Sequence, residues 1–215
     1  MVVCPLSTVL NWENEFKIWL PGDSFETLNV CEVAKSKDKG VRERKIARWF
    51  EIGGVLIIGY DTYRTVTTQV KKQRSEQEEL LWQALVAPGP DLLVCGMTMH
   101  PISEMFHLLK SCFLMADEGH LLKNEDTLLY KALNRISTRR RIMLSGTPLQ
   151  NNLMEFFAMV EFVNRGLLGT NTQFEENFVK VFVKGQTVDS ELSDVRAMKV
   201  RSFILHKTLE SNFLL

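Results

Sequence analysis

The chain has 215 residues, of which 45% are hydrophobic and 24% are charged, and its 26 basic side chains balance 26 acidic ones. This is an ordinary globular composition with enough length for one sizeable core. Zero net charge gives no overall field toward DNA or an anionic membrane, and no apolar run approaches the about 18 residues of a membrane span. The four cysteines lack the paired spacing of a zinc site, which favours buried, reduced thiols in an intracellular protein.

The first half of the chain alternates between predicted strands and predicted helices. Val2–Cys4 predicts a buried strand that Pro5 stops, and Ser7 or Thr8 is placed to cap a helix that Pro21 ends. The predicted apolar stripe of that helix is Leu10, Phe16, Ile18, Trp19 and Leu20. There follow a strand within 27–33, a helix that finishes near Phe50, a buried strand over 55–58, a helix over 78–86 and a buried strand over 91–95.

The second half contains a segment that is out of place. After the strand over 91–95, residues 96–116 make a detour through a short amphipathic helix over 102–110 to a second apolar run over 112–116. Two candidate strands therefore compete for one position. The later elements are a helix from Asp126 or Thr127 to Ile136, a strand over 142–145, an apolar helix over 153–163 and a helical remainder over 174–215. The triplet Arg139-Arg140-Arg141 is interpreted as the solvated start of the strand over 142–145, with a DNA contact as the less favoured alternative.

An acidic box, Asp117-Glu118-Gly119-His120, directly follows the second apolar run. Alternating strands and helices predict a doubly wound parallel sheet, in which ligands bind at the carboxyl ends of the strands. There Asp117 can hold Mg²⁺ and Glu118 can orient and deprotonate an attacking water, as phosphoryl-transfer sites require. Taken alone, the four residues also fit a simple turn with solvated acids. Polar clusters after two other strands, at 5–8 and 145–152, favour the functional interpretation.

With these motifs assembled, the sequence resembles the Snf2 family of ATP-dependent DNA translocases, within helicase superfamily 2, with particular likeness to ATRX-type chromatin remodellers. The resemblance covers essentially the whole chain apart from the detour, and it is carried by residues 3–12, 57–64, 88–91, 117–125 and 144–152. It implies a RecA-like, three-layer α/β fold that is incomplete at the N-terminus. Residues 1–165 would form part of the first, ATP-binding lobe with an insert at 96–116, and 166–215 a helical extension toward a second lobe.

The resemblance also implies roles for the residues of the acidic box and of the later polar cluster. Asp117 and Glu118 correspond to the Mg²⁺-holding and water-activating carboxylates of an ATPase. His120 and Gln150 correspond to the relay between the nucleotide site and the DNA track. Thr147 lies where the family couples the state of ATP to movement of the lobes. The implied cofactors are ATP and Mg²⁺.

The implied DNA contacts lie nearer the amino terminus. Pro5, Ser7, Thr8 and Tyr60 fall where the family touches the phosphates of the tracked strand, through hydroxyls and backbone amides that carry no sequence information. The implied partners are double-stranded DNA and chromatin, with nucleosomal proteins bound through other domains and no membrane. The implied location is the nucleus.

The sequence also departs from the family pattern. It contains no Gly-rich loop with the Lys and Ser/Thr that grip the phosphates of a nucleotide, and no second lobe. We therefore expect negligible ATPase activity from these 215 residues. A catalytically dead DNA- or protein-binding module is the alternative. A third hypothesis is an unrelated metal-dependent hydrolase that uses the acidic box with His100 or His107.

The detour itself has two interpretations. In the family the strand before the acidic box runs directly into it, so that Cys95 would be followed at once by Asp117. Residues 96–116 then form either an insert of real protein or translated intron. The codons of Gly96-Met97 and of Ala116-Asp117 can place GT and AG at the two boundaries, and excision would rejoin Cys95 to Asp117 in frame. A real insert would either replace the strand over 91–95 or loop out of the domain.

Overall fold

The computed structural model describes residues 1–20, 22–36, 38–68, 75–96, 114–116, 125–146, 152–187 and 189–210, with the backbone alone for 114–116 and 145–146. The strands are β1 (Val2–Cys4), β2 (Val30–Glu32), β3 (Val55–Gly59), β4 (Leu93–Gly96), β5 (Leu114–Ala116) and β6 (Arg141–Gly146). The helices of the first half are α1 (Val9–Trp19), α2 (Asp23–Thr27), α3 (Lys39–Ile52), α4 (Tyr60–Thr68) and α5 (Glu76–Leu85). Those of the second half are α6 (Leu128–Asn134), α7 (Leu153–Val163), α8 (Asn171–Phe174), α9 (Lys180–Gln186) and α10 (Leu192–Leu209).

The strands form one six-stranded sheet in the order β2-β3-β1-β4-β6-β5, and every pair is parallel. This confirms the predicted parallel sheet. Both candidate strands around the detour belong to it. β4 keeps the place between β1 and β6, and β5 adds to the free side of β6. The prediction that the two strands compete for one position is therefore wrong, because β6 has a hydrogen-bonding edge for each of them.

Side chains that alternate along the strands form two buried clusters, one on each face of the sheet. One face carries Cys4, Ile57 and Val94, which belong to the same cluster as Val9, Trp12 and Phe16 of α1. The other face carries Val3, Ile58 and Cys95, which cluster with buried residues of α3 through α7. Helices thus cover both faces, and the predicted three-layer arrangement is confirmed.

Helix α1 is where it was predicted, but its buried stripe is different. Val9, Trp12 and Phe16 are buried, at the three- and four-residue spacing of one helical face. Ile18 and Trp19 are 69% and 42% exposed, so their assignment to the core is wrong. The indole nitrogen of Trp19 donates instead to Glu15 on the surface. The side chains of the predicted stripe lie on different sides of the helix, so they do not form one buried face.

Two local predictions in the first half also need correction. Thr8 occupies the N-cap position of α1, but its hydroxyl donates to the carbonyl of Pro5 and accepts no bond from the helix. The strand predicted within 27–33 is limited to β2, since Thr27 ends α2. The cap of α6 is as predicted, because the Thr127 hydroxyl accepts a hydrogen bond from the amide of Tyr130.

The carboxyl-terminal helices add aromatic and aliphatic side chains to the core next to α7. α8 continues through a π-helical turn, Glu175–Val179, into α9. The Phe174 ring lies 5.0 Å from that of Phe157 and 5.1 Å from that of Phe178, and Leu205 of α10 joins the same cluster. The helical extension therefore packs against the core of the sheet domain. Its predicted boundary at residue 165 stays a prediction. None of the described helices combines the length and apolar character needed to cross a membrane.

Candidate functional site at the carboxyl edge of the sheet

The strand ends that carry the polar motifs lie along one edge, because all six strands are parallel. Cys4, the last residue of β1, is paired with Gly59, the last residue of β3. Gly96 at the end of β4 is opposite Leu144, two residues before the end of β6. Ala116 at the end of β5 lies opposite Ser145 and Gly146. The carboxyl edge therefore gathers the starting points of all three predicted polar clusters.

Five of the predicted site residues lie outside the described residues: Asp117, Glu118, His120, Thr147 and Gln150. The backbone that leads to them is described. Because Ala116 is paired with Gly146, the acidic box and the Thr147–Gln150 segment depart from neighbouring strand ends. β6 lies between the end of β4 and the start of the acidic box, whereas the family pattern expects that box to follow β4 directly.

The Pro5–Thr8 turn is described in full. After Pro5, with φ −58° and ψ 149°, the chain makes one 3-10 turn, closed by a 3.0 Å hydrogen bond from the amide of Thr8 to the carbonyl of Pro5. Ser7 is exposed and Thr8 is half-buried. The turn therefore presents the Ser7 hydroxyl at the edge of the sheet, where it is available to a phosphate oxygen.

Tyr60 lies beside this turn but differs in exposure. It begins α4 directly after Gly59, where a side chain would come within 3.8 Å of Leu6. Because Cys4 is paired with Gly59, Pro5 and Tyr60 follow the ends of two neighbouring strands. The tyrosine side chain is only 9% exposed, and burial raises its pKa well above the ordinary value. Tyr60 is thus a neutral phenol within the core, with little surface left for a ligand.

The cysteines of this region are buried thiols. Burial raises the pKa of Cys4 to about 11 and that of Cys95 to about 12, so both are protonated at neutral pH. Cys4, Cys31 and Cys95 are all free. In the described part of the chain, no three histidine, cysteine, aspartate or glutamate residues are grouped to hold a metal ion. His100 and His107, which the metal-hydrolase hypothesis needs, lie outside the described residues.

A polar groove next to α4 was not anticipated from the sequence. Its volume is about 220 Å³, and residues of α3, α4 and α5 line it, among them Lys39, Arg42, Asp61, Thr62 and Trp82. Asp61 and Thr62 belong to the 57–64 motif, but the lining residues of α3 and α5 belong to none, so only the packing of the three helices assembles the groove. The mixed charges of the groove do not select one class of ligand.

Arg141, the first residue of β6, was also missed. It was interpreted as part of a solvated triplet, yet it is only 8% exposed, and the interpretation is wrong for this residue. Its guanidinium donates to Asn134 Oδ1 and to the carbonyls of Ile136, Thr138 and Phe162. Its position directly before the apolar run of a buried strand is the one signal in the sequence that separates it from exposed Arg139 and Arg140.

The hydrogen bonds of Arg141 connect the carboxyl-terminal ends of two helices. Asn134 ends α6, and Phe162 lies in the last turn of α7. Carbonyl groups at helix carboxyl ends lack partners within the helix and carry partial negative charge, so a cation there is stabilising. Burial lowers the pKa of Arg141, and the positive charge of Arg165 lowers it further. This network lies at the amino-terminal edge of the sheet, opposite the predicted site.

Comparison with known proteins agrees with the motifs. Residues 1–212 match the SNF2-related domain family. The chain is 45% identical over 211 residues to a transcriptional regulator ATRX homolog of Drosophila melanogaster, and 43% identical over 210 residues to the human transcriptional regulator ATRX. It is 32% identical over 246 aligned positions to the human helicase ARIP4. These matches cover 97% to 98% of the chain but only 14%, 8% and 15% of the respective relatives.

A solved structure shows the same fold. The Sulfolobus solfataricus SWI2/SNF2 ATPase core, solved in complex with double-stranded DNA, superimposes with a TM-score of 0.55 at 19% sequence identity. The match covers 99% of this chain and 32% of that one. At this identity the likeness shows the architecture alone, and it agrees with the parallel sheet flanked by helices. From the family match over nearly its whole length, the chain belongs to the SNF2-related domain family.

Proposed function

We propose that the chain forms the ATP-binding lobe of a nuclear, DNA-dependent ATPase that moves along double-stranded DNA in chromatin. The observation that carries the proposal is the pairing of Ala116 with Gly146, from which the acidic box and the Thr147–Gln150 segment start at neighbouring strand ends. The carboxyl edge of a parallel sheet is where such folds bind ligands. The ATRX names of the relatives and the DNA in the related archaeal complex support the choice of substrate and partner.

The acidic box supplies the chemistry in this proposal. Carboxylate oxygens are the ligands that Mg²⁺ prefers, so the donor set of Asp117 and Glu118 fits this ion. Asp117 holds Mg²⁺, directly or through water, and the ion neutralises charge on the phosphates when it is bound. Glu118 orients the attacking water and takes its proton.

The remaining predicted residues connect hydrolysis to DNA. His120 and Gln150 relay between the nucleotide and the DNA track, and Thr147 links the nucleotide to movement of the lobes. Their starting points on β5 and β6 are paired, which supports a relay between them. Pro5, Ser7 and Thr8 position a DNA strand through phosphate contacts, with the exposed Ser7 hydroxyl as the principal donor.

Tyr60 acts differently within the same proposal. Since its ring is buried, Tyr60 meets DNA through its backbone or through the edge of its ring. A tyrosine that is packed in the core fixes the first turn of α4 against β1. Its contribution to DNA binding is therefore smaller than that of Ser7.

We further propose that the 215 residues alone hydrolyse ATP negligibly. No Gly-rich loop with Lys and Ser/Thr is present in the sequence, so the triphosphate lacks the backbone amides and lysine that normally cradle it. A binding module without catalysis is the second candidate, and this missing loop is the observation that favours it. Nucleosomal partners would be bound through other domains in either case.

The test uses a chimaera in which residues 1–212 replace the matching segment of the Drosophila relative. DNA-stimulated ATP hydrolysis is measured for the chimaera, for its Glu118→Gln variant and for an exposed control, Glu51→Gln. We expect activity in the chimaera and the control, and a loss of at least about a hundredfold in Glu118→Gln. Full activity in Glu118→Gln would contradict the role of Glu118.

The isolated chain is assayed in parallel. We expect no DNA-stimulated hydrolysis above background, because the groups that bind the triphosphate are missing. A measurable rate that Glu118→Gln abolishes would show that the 215 residues are sufficient. An inactive chimaera that still binds DNA would favour the binding module.

A further inference from the structure

Leu6, in the turn that follows β1, has an apolar side chain that the protein leaves largely uncovered. It is 66% exposed, and Leu10, four residues later, is 44% exposed. The 3-10 turn runs without a break into α1, and residues four apart lie on the same side of a helix. An apolar surface therefore adjoins the exposed Ser7 hydroxyl at the carboxyl edge of the sheet.

The methyl groups of Leu6 lie over the end of the neighbouring strand, β3. A Cβ added to Gly59, the last residue of β3, would be 3.8 Å from Leu6 Cδ1 and 3.9 Å from Thr62 Oγ1. Leu6 follows β1 and Thr62 follows β3, so the two side chains approach the same point of the edge from two strands. This proximity is produced by the pairing of β1 with β3.

The hydroxyls on the two sides of Leu6 are available to a ligand. Ser7 is exposed and Thr62 is half-buried, and neither hydroxyl makes a hydrogen bond to another described residue. The hydroxyls of Thr8 and Thr65 next to them are used within the protein, since they donate to the carbonyls of Pro5 and Asp61. The edge thus presents a free hydroxyl, an apolar side chain and a second free hydroxyl.

The backbone of a nucleic acid has the same alternation of polar and apolar groups. Phosphate oxygens accept hydrogen bonds from hydroxyls, and the sugar lies between one phosphate and the next. The 2′ position of deoxyribose carries no polar group, whereas ribose has a 2′-hydroxyl that is both a donor and an acceptor. A hydroxyl pressed against leucine methyl groups loses its water without gaining a hydrogen bond, which is unfavourable.

We propose that Leu6 packs against a sugar of the bound strand, between phosphates held by Ser7 and Thr62, and that this contact makes the site prefer deoxyribose over ribose. The inference rests on the proposed function, because it takes the Pro5–Thr8 turn as a contact with DNA. Phosphates are identical in DNA and RNA, so Ser7 and Thr62 cannot distinguish the two polymers. Leu6 is then the residue of this turn that determines specificity.

The test compares a labelled DNA duplex with an RNA duplex of the corresponding sequence, by fluorescence anisotropy with the folded chain. Low salt keeps the phosphate contacts strong enough for both affinities to be measured. The two duplexes also differ in shape, but that difference is common to every variant. The readout is therefore the ratio of the two dissociation constants, compared between the unchanged chain and Leu6→Ala.

We expect Leu6→Ala to lower the preference for DNA at least about threefold, mainly through tighter RNA binding. Leu6→Met keeps an apolar side chain of similar volume and should retain the preference. Leu192→Ala is the matched control, because Leu192 is 78% exposed on α10, and it should change the ratio less than about twofold. Equal unfolding midpoints for the leucine variants would show that the fold is intact.

Two further variants separate this inference from the proposed function. Ser7→Ala and Thr62→Val each remove a hydroxyl, so they should weaken DNA and RNA alike and leave the ratio unchanged. If they do so while Leu6→Ala also leaves the ratio unchanged, the phosphate contacts stand and the sugar contact is refuted. An equal loss of affinity for both duplexes in Leu6→Ala would refute it as well. A folded chain that binds neither duplex would overturn both the sugar contact and the proposed DNA interface.

Discussion

β4 and β5 flank the same strand, β6, but they are held in the sheet very differently. β4 pairs with β1 and with β6, and its four residues are all buried. β5 pairs with β6 alone, and its register shifts between Leu114 and Ala116. Two neighbours fix the position of a strand twice over, whereas one neighbour with an irregular register fixes it weakly. The sheet therefore depends on β4 and merely accommodates β5, the strand that leads to the acidic box.

The largest expected difference between the two strands comes from proline. The amide of Val94 donates to the carbonyl of Met1 at 2.9 Å, in the middle of the sheet. Val94→Pro removes this bond and clashes with a buried strand, so we expect no cooperative unfolding transition. Met115→Pro in β5 is the matched change at an edge strand and should cost about 1 kcal/mol or less. Urea unfolding followed by circular dichroism measures both, and equal damage would refute the difference between the strands.

A smaller effect is expected from a single methyl group on β4. A Cβ on Gly96 would lie 2.5 Å from Leu144 Cβ and 3.0 Å from the Leu144 carbonyl oxygen. Gly96→Ala should therefore destabilise the fold by about 1–3 kcal/mol through overpacking. Gly40→Ala in α3 is the control, since its nearest contact at 3.4 Å is the flexible end of Arg44, and it should be neutral or stabilising by up to about 1 kcal/mol. Similar unfolding free energies for the two variants would show that β4 and β6 are less tightly packed than described.

The pH dependence of stability reports the burial of β4. The Cys95 thiol has an ordinary pKa of 9.0, which burial raises to about 12. Its stabilising contribution is complete below pH 9 and is lost as pH rises from 9 toward 12, because the unfolded chain loses the proton first. The loss is at most about 1.4 kcal/mol per pH unit for this thiol. Urea unfolding at pH 8, 9 and 10 should show a shallower decline for Cys95→Ala, and parallel declines would argue against a buried thiol.

The smallest expected effect is that of removing 96–116 altogether. This deletion takes out β5 and joins Cys95 to Asp117, so the acidic box follows β4 directly. Loss of β5 also frees one side of β6, which lets Leu144 move away from the new side chain at the position of Gly96. We expect a cooperative fold with a change in unfolding free energy of about 1 kcal/mol or less, since loop length costs little. An unfolded deletion variant would show that β5 is part of the folding unit.

The same deletion bears on the origin of the segment. If residues 96–116 are translated intron, transcripts that lack the segment exist, and GT and AG stand at its genomic boundaries. Sequencing of transcripts and of the genomic region measures both. Finding neither would leave β5 as a genuine strand of the protein, and the acidic box would then be aimed from the far side of β6.

Most of the architecture could be predicted from the sequence because it depends on local patterns. Continuous apolar runs gave β1, β3, β4 and β6, and α7 has the bounds 153–163 that its apolar pattern predicted. The acidic box and the 144–152 segment were identified by residue type and order, which require no coordinates. Such local patterns do not predict which strand lies at the edge of the sheet, and they do not predict which single polar residue is buried. Arg141 has the same residue type as Arg140 beside it. Only its packing against α6 and α7 buries it and lets its guanidinium donate hydrogen bonds to both helices.

The sequence by itself determined the family, the parallel α/β sheet and the residue types of the candidate site, because apolar periodicity and motif order are properties of neighbouring residues. The tertiary structure alone decided which side of β6 each candidate strand occupies, which face of α1 is buried and where the arginines converge. These features depend on residues far apart in the chain, such as Cys95 with Met143, Trp12 with Ile57, and Asn134 with Arg165. These contacts are stabilised by strand pairing and by burial between distant segments, which no single segment of the sequence can provide.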